Sequence, residues 1–186
     1  MDRRLWSVEE DELVFDAAPY VQVHRQRICT DSGHVVDNYF QVTLPEFAIC
    51  CPLTSDGRVI TLWQYKHGAR SWGLTFPAGL IDVNEGAEAA MRRELLEETG
   101  YIGGSAKFLG RYVCSGNQGA GWANLFVIRH CHRVCEPASG DLETMDLRLM
   151  IPSEIDALVA DGAITGLPHL AIWTAARQMC SSAFGD

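Results

Sequence analysis

A helical pattern from about Gly86 to Thr99 constrains the fold most, because the segments before and directly after it are typical of strands. Gly100 follows this pattern and can end a helix in the left-handed conformation. Two further helical patterns begin near Pro152 and Thr165. Strands, one helix, strands and then helices, in that order, predict an α/β fold in which a mixed sheet lies between helices.

The predicted strands either alternate apolar and polar side chains or form short apolar runs. They cover residues 20–30, 38–43, 47–53, 58–65, 72–76, 107–114, 122–130 and 144–151. The first two should form a hairpin around Asp31–Gly33, and Gly57 supplies the positive φ that the turn between the next two requires. We therefore expect an N-terminal β-hairpin extension over residues 1–45 and a main domain over residues 46–186.

The charge balance limits the kinds of partner that the chain can bind. The 186 residues include 15 Lys and Arg against 24 Asp and Glu, which gives a formal charge of −9. Such a surface is poor at neutralising the phosphates of a nucleic-acid polymer, so we expect no polymer partner. A small phosphate compound can still bind if divalent cations bridge it to carboxylates.

The cysteines and the hydropathy indicate a compartment. Seven cysteines occur without a CxxC pair, and an odd number in a chain of this size favours reduced thiols over a disulfide framework. No apolar stretch follows the charged N-terminus or approaches the ~20 residues that a membrane span needs. We therefore expect a cytoplasmic protein with neither a signal peptide nor a membrane partner.

Three carboxylates share one face of the helical pattern. Glu97 is i+3 and Glu98 is i+4 from Glu94, so all three fall within an arc of roughly 100°. Like charges this close repel one another, and anions are also disfavoured near a helix C-terminus. A solvated acidic face is the ordinary alternative, but divalent cations such as Mg²⁺ would offset the repulsion. Arg93 can pair with Glu85 or Glu97 and hold the helix in place.

The spacing around these carboxylates is a further constraint. Residues 79–101 fit the pattern G-x5-E-x7-R-E-U-x-E-E-x-G-U, where U is aliphatic, except that Tyr101 occupies the last position. This pattern is the Nudix box, and the chain resembles the Nudix hydrolase family. The resemblance implies the Nudix α/β/α sandwich, with the box helix on one face of the mixed sheet.

The resemblance also implies metal ligands at the three box carboxylates and at the carbonyl that precedes the box glycine. These are Glu94, Glu97, Glu98 and Ala78. Glu85 would orient Arg93 and the helix, so that both contribute to catalysis together with the carboxylates. The implied cofactor is Mg²⁺ or Mn²⁺, which polarises a diphosphate and activates water.

Segments outside the box look like the ADP-ribose pyrophosphatase branch. They are the N-terminal hairpin, Gln64-Tyr65-Lys66 and Phe76-Pro77-Ala78-Gly79. The likeness implies hydrolysis of the pyrophosphate bond in a nucleoside diphosphate linked to another group, such as ADP-ribose or a related nucleotide sugar. Gln64 and Lys66 would bind this small-molecule substrate. Tyr20 and Tyr39 would stack on its base, often across a homodimer interface, although packing of the sheet is their alternative role.

Two departures from the branch leave the substrate open. Lys66 stands where many of these enzymes have Arg, and residues 114–121 form a glycine-rich loop without the usual proline. Another nucleotide, either a dinucleoside polyphosphate or a damaged nucleotide, is the alternative substrate. A Nudix-fold ligand sensor that binds without cleaving is the alternative of another class, although such regulators usually lose box carboxylates and this chain keeps them.

The general base should lie on a loop after the box, as the ADP-ribose branch implies. Glu143 is the candidate, and Asp141 and Asp146 are its rivals. An ordinary acidic loop is the alternative interpretation of these residues. A general base must lie within hydrogen-bond reach of the proton that it accepts, and the sequence does not show that distance.

Overall fold

The computed structural model describes residues 5–140, 144–180 and 184. The chain divides into two compact units. One unit contains the residues up to Pro45 together with Val113–Trp122, and the other contains Glu46–Tyr112 and the residues from Ala123 onwards. The helices belong to the second unit, which also carries the box.

The described part of the first unit contains an antiparallel sheet in the order β1 (Ser7–Ala17), β2 (Val21–Cys29) and β3 (Val35–Thr43). β2 and β3 form the predicted hairpin, whereas β1 has no counterpart among the predicted strands. Consecutive acidic residues in β1 hide any alternation, and they pair with cations on β2. Glu12 forms an ion pair with Arg25, and Glu9 forms one with Arg27. Cross-strand pairs of opposite charge stabilise neighbouring strands.

The remaining elements follow the predicted order, except that the two short strands next to the box helix were not predicted. The strands are β4 (Phe47–Thr54), β5 (Val59–Lys66), β6 (Ser71–Thr75), β7 (Ala78–Leu80), β8 (Tyr101–Ile102), β9 (Ala106–Ser115), β10 (Ala120–Arg133) and β11 (Met145–Met150). The helices are α1 (Ala87–Thr99), α2 (Pro152–Ala160) and α3 (Leu167–Met179). In the described part of the chain, no helix combines the length and the apolar character that crossing a membrane requires.

The second sheet is mixed, as predicted. Its strands lie in the order β11-β5-β4-β10-β8, with β6 paired to β5, β7 to β4 and β9 to β10. β4 and β10 run parallel, whereas β5 and β7 run antiparallel to β4. The short strands β7 and β8 flank α1 in sequence, so the box helix is connected at both ends to strands of this sheet.

β4 is buried on both faces, because its side chains alternate between two apolar clusters. Cys50 packs in the cluster that contains Met91 and Leu95 of α1. Its neighbour Cys51 packs in the cluster that contains Ile172 of α3. Helices therefore cover both faces of the mixed sheet, which confirms the predicted α/β/α sandwich.

Two glycines have the positive φ that the sequence predicts. Gly57 has φ 81° in the turn between β4 and β5, and Gly100 has φ 74° at the end of α1. A Cβ on Gly100 would also lie 2.1 Å from the carbonyl oxygen of Cys135. No side chain fits that position, so the helix ends where the glycine stands.

Candidate active site

The last turn of α1 lies against β7, so that a box carboxylate meets a backbone amide. The Ala78 N–H donates a hydrogen bond to Glu98 Oε2 at 2.9 Å. Glu98 is only 6% exposed, so the amide satisfies an oxygen that has little access to water. Ala78 is itself held on β4 opposite Ile49. The sheet therefore fixes the position of the Glu98 carboxylate.

Gly79 makes room for a second carboxylate. A Cβ placed on Gly79 would lie 2.0 Å from both Cδ and Oε1 of Glu94. No side chain can occupy that space while Glu94 keeps its position. The box requires glycine here because the backbone of β7 and the carboxylate approach each other closely.

The guanidinium of Arg93 joins three carboxylates. Its Nε and Nη2 donate to the two oxygens of Glu85 at 3.0 and 2.9 Å, which is a bidentate pair. Its Nη1 donates to Glu94 at 2.6 Å and to Glu97 at 3.2 Å. The hydrogen bond between Arg93 and Glu85 is the main cause that lowers the pKa of Glu85 and raises the pKa of Arg93. The expected pairs with Glu85 and Glu97 are thus both present.

Arg93 also connects the helix to the strand that carries the box glycine. Its Nη2 donates to the carbonyl of Leu80, the last residue of β7, at 2.9 Å. Glu85 accepts a second hydrogen bond, from the N–H of Asp82 at 3.1 Å. The loop between β7 and α1 is therefore fastened from both ends, which keeps the carboxylates of the helix beside the glycine.

The oxygen atoms around the box glycine are the donors that a hard divalent cation prefers. They belong to the carboxylates and the carbonyl of Glu94, Glu97, Glu98 and Ala78. Among the described residues, no three His, Cys, Asp or Glu side chains converge as a preformed metal site. Arg93 holds the carboxylates of Glu94 and Glu97, and the side chain of Glu97 is 41% exposed, so an ion can reach it from solvent. The donor set fits Mg²⁺ or Mn²⁺.

A cavity of about 280 Å³ opens beside Glu98. Its walls are Leu62, Glu98, residues 137–140, Met145 and Leu147. Ligand pockets in proteins start at roughly 300 Å³, so the cavity has room for part of a nucleotide. Both apolar and polar groups face it.

The predicted general base lies in the sequence between two segments that contribute to the wall of this cavity, residues 137–140 and the strand that carries Met145 and Leu147. Glu143 and its rival Asp141 fall outside the described residues. The other rival, Asp146, is exposed on β11 between Met145 and Leu147. Successive side chains of a strand point to opposite faces, so Asp146 faces away from the cavity that its two neighbours line.

The structure places the two predicted substrate residues of β5 differently. Gln64 is 2% exposed, and its Oε1 accepts a hydrogen bond from the Thr75 hydroxyl at 2.6 Å. It therefore supports the neighbouring strand β6 rather than an open surface. Lys66 ends β5 and is half-buried.

The predicted aromatic residues belong to the first unit, whereas the box belongs to the second. Tyr20 is 74% exposed in the turn between β1 and β2. Tyr39 packs edge-on against Trp6 with ring centroids 6.2 Å apart. Its hydroxyl donates to the carbonyl oxygen of Asn117 at 2.6 Å, in the glycine-rich loop between β9 and β10. Tyr39 thus holds this loop, and Tyr20 is the aromatic that faces solvent.

Sequence reasoning assigned no role to His169. Its Nδ1 accepts a hydrogen bond from the N–H of Phe76 at 3.0 Å, just before the box glycine. Burial, together with the positive charge of Lys66, lowers the pKa of His169 to about 4. His169 directly follows Pro168 at the start of a helix, and no local sequence pattern predicts a contact between this histidine and Phe76.

A second network that the sequence did not predict holds the start of β4. Arg111 Nε and Asn124 Nδ2 each donate to Glu46 at 2.7 Å, and the pair with Arg111 lowers the pKa of Glu46. The carbonyl of Glu46 accepts the N–H of Ile81, which directly follows β7. The network therefore anchors the chain directly after β7 to the start of β4.

Comparison with known proteins agrees with this geometry. Residues 44–159 match the NUDIX domain family. Over 45 residues, 24% of this chain and 21% of the other, the sequence is 51% identical to an ADP-sugar pyrophosphatase of Mus musculus. Over 55 residues, 30% and 26% of the two chains, it is 47% identical to an RNA pyrophosphohydrolase of Pasteurella multocida. A solved structure described as an ADP compounds hydrolase has a TM-score of 0.79 at 19% identity, over 98% of this chain and 97% of that chain.

The family match covers more than half of the chain and includes the whole box, so the chain belongs to the NUDIX domain family. The expected family resemblance is thereby confirmed. The chain spans only about a quarter of the length of these two curated relatives, 21% and 26%. At 19% identity, the solved structure shows that the fold is shared.

Proposed function

We propose that this protein hydrolyses the pyrophosphate bond of a nucleoside diphosphate linked to another group, with ADP-ribose or a related ADP-sugar as substrate. The observation that carries the proposal is the close approach of Glu94 to Gly79 beside the Ala78–Glu98 hydrogen bond. These contacts gather oxygen donors at one point of the fold. Similar proteins named for ADP-sugars and ADP compounds support the substrate class.

The proposed reaction depends on Mg²⁺ or Mn²⁺. When bound, such ions supply Lewis-acid polarisation of the diphosphate and neutralise charge that develops on the leaving phosphate. Glu94, Glu97 and Glu98 would hold them, with the carbonyl of Ala78. Arg93 holds the carboxylates of Glu94 and Glu97, and the Ala78 N–H limits the rotation of Glu98.

Glu143 is the general base in this proposal. Its support is its place in the sequence, three residues after Gly140, which lines the cavity beside Glu98. Replacing Glu143 with Gln should lower kcat at least about 100-fold, in line with the contribution of a positioned base. Asp146→Asn is the matched control, because Asp146 faces away from that cavity. A larger loss in the control than in Glu143→Gln would reverse the assignment.

The products identify the reaction. The purified chain with Mg²⁺ and ADP-ribose in ¹⁸O water should yield AMP and ribose 5-phosphate, with the label in one product by mass spectrometry. The labelled product shows which phosphorus is attacked. Tight binding of ADP-ribose without AMP over several hours would instead support a ligand sensor and overturn the proposal.

A second candidate is hydrolysis of another nucleotide, either a dinucleoside polyphosphate or a damaged nucleotide. Lys66 favours it, because a lysine offers a point charge where the ADP-ribose branch has the bidentate fork of an arginine. A panel of nucleotide sugars, dinucleoside polyphosphates and oxidised nucleotides, compared by kcat/KM, separates the candidates. The ADP-sugars should lead the panel.

We also propose that the protein acts in the cytoplasm as a homodimer. All seven cysteines are free thiols, which suits a reducing compartment. Val8, Leu13 and Phe15 of β1 are exposed in the single chain, and a second copy would remove them from water. Light scattering should therefore give twice the mass of the chain. A wild-type chain that is monomeric at micromolar concentration would refute the dimer. If the dimer is correct, Leu13→Lys should convert it to a monomer.

A further inference from the structure

The C-terminal helix is joined to the segment that leads into the box. His169 lies in the first turn of α3, and its Nδ1 accepts the N–H of Phe76 at 3.0 Å across 93 residues of sequence. A ring nitrogen that accepts a hydrogen bond carries no proton, so the imidazole is neutral with its proton on Nε2. The low pKa of His169 keeps the ring in this state at neutral pH.

The same helix also holds the side chain of Phe76. Trp173 stacks on the Phe76 ring with centroids 6.0 Å apart and planes inclined by 17°. Trp173 is i+4 from His169, so both side chains project from one face of α3. The indole N–H of Trp173 donates to Asp156 at 2.8 Å, which fixes the ring from α2. Phe76 is therefore clamped through its backbone and through its ring.

The residues directly after Phe76 belong to the proposed metal site. The carbonyl of Pro77 accepts the N–H of Cys50 at 3.0 Å, and the proline ring fixes φ at that point. The next amide, that of Ala78, binds Glu98. Little conformational freedom separates Phe76 from Ala78, so a shift of the Phe76 backbone moves the carbonyl and amide of Ala78.

We infer that His169 is a positioning residue, which fixes the backbone of Phe76–Gly79 so that the Ala78 carbonyl and the Glu98 carboxylate are held ready for a divalent cation. This inference rests on the proposed function, since metal binding is part of it. His169 acts through Phe76, and its contribution is the acceptor atom at the Nδ1 position. A side chain that only fills space in the packing of α3 would not need that atom.

Three variants separate the acceptor from the packing. His169→Leu removes the acceptor and keeps apolar volume. His169→Asn keeps an oxygen at the position of Nδ1. Ile172→Val is the matched control, because Ile172 is a buried residue of α3 that packs in the core without that hydrogen bond. Mn²⁺ alone is titrated into each full-length chain, and free Mn²⁺ is measured by electron paramagnetic resonance.

His169→Leu should raise the Kd for Mn²⁺ at least about fivefold, while His169→Asn and Ile172→Val should stay within about twofold of the wild type. Hydrogen exchange at the Phe76 amide should be faster in His169→Leu than in the other chains. An unchanged Kd in His169→Leu, or an equal rise in His169→Asn, would overturn the inference. If His169→Leu does not fold, His169→Gln replaces it, because the glutamine oxygen lies at the position of Nε2 and leaves no acceptor at the position of Nδ1. His169→Asn must then bind Mn²⁺ at least about fivefold more tightly than His169→Gln.

Failure of the inference and failure of the proposed function give different results. A wild-type chain that binds Mn²⁺ and turns over ADP-ribose, with a His169→Leu variant of equal Mn²⁺ affinity, refutes the positioning role alone. A wild-type chain that binds no Mn²⁺ refutes the metal-dependent function itself, whatever the variants do.

Discussion

The Ala78 N–H and the Glu98 carboxylate are joined by a hydrogen bond of 2.9 Å, across 20 residues of sequence. The bond holds a nearly buried carboxylate beside the carbonyl of the residue that donates it. One residue of β7 thereby places two of the proposed metal ligands, its own carbonyl and the side chain of Glu98. The position of the ligands thus depends on the sheet as much as on the helix.

Replacing Glu98 with Gln should remove most activity and leave the fold intact. Glutamine keeps an oxygen that accepts the Ala78 N–H but loses the charge that attracts a cation. We expect kcat to fall at least about 100-fold at saturating Mg²⁺, as for the loss of other electrostatic groups in active sites. Glu88→Gln is the control, because Glu88 lies on the exposed side of α1 and forms an i, i+4 bridge with Arg92 rather than a contact to the box carboxylates. Near-normal turnover by the Glu98 variant would count heavily against the metal site.

Replacing Gly79 with Ala should harm activity more than stability. The new Cβ would lie 2.0 Å from the Glu94 carboxylate, which is the end of a flexible side chain and can swing away. The fold loses little, but Glu94 leaves the position where it faces β7. We expect kcat/KM to fall more than about tenfold, with a change in unfolding free energy under about 1 kcal/mol.

Gly86→Ala is the matched control for that variant. A Cβ on Gly86 meets nothing within 4 Å, and its φ of −83° and ψ of 149° suit any residue. It should keep wild-type kcat/KM in the same assay with ADP-ribose. Equal activity of the two variants would show that the space beside Gly79 has no role in the reaction.

Replacing Arg93 with Lys should affect both stability and activity. An ammonium group cannot bind both oxygens of Glu85 while it also reaches Leu80 and Glu94. We expect a loss of about 1 to 2 kcal/mol in unfolding free energy, because hydrogen bonds to charged groups are lost. The loop before α1 should loosen, which we expect to lower kcat about tenfold.

Arg92→Lys separates these two effects. Arg92 also makes several hydrogen bonds, to Glu88 and to the carbonyls of Gly103 and Gly104, but none to the box carboxylates. Chemical denaturation should show a similar loss of stability in both variants, and turnover should fall only in Arg93→Lys. A parallel fall in turnover would mean that Arg93 acts through general stability.

The segments that sequence patterns predict well are those whose partners are close in the chain. The α1 helix, its end at Gly100 and the hairpin turn at Gly57 follow from local periodicity and from glycine conformations. β1 could not be predicted in this way, because its acidic residues become compatible with a strand only when Arg25 and Arg27 lie opposite. Its stability is a property of the pair of strands.

The sequence allowed Arg93 to pair with Glu85 or Glu97, and the structure contains both contacts. It could not predict the contact of His169 with Phe76, because no pattern relates residues 93 positions apart. Gln64 shows another limit. Alternation along β5 shows that neighbouring side chains point to opposite faces, but not which face is covered. Gln64 is buried and accepts a hydrogen bond from Thr75 on the neighbouring strand β6.

The pH dependence of stability should report the contact of His169. In the folded chain its pKa is about 4, whereas an unfolded histidine titrates near 6.5, so the unfolded state binds the proton more readily. The stabilisation from the neutral ring is therefore complete above pH 6.5 and is lost progressively as the pH falls towards 4. Between pH 7 and pH 5 the unfolding free energy should fall by about 2 kcal/mol from this group. Urea denaturation across that range measures the fall, and His169→Asn, which has no group that titrates there, should lack it. An equal slope in the two chains would show that His169 is protonated as readily in the fold as in solution, which the hydrogen bond from Phe76 does not allow.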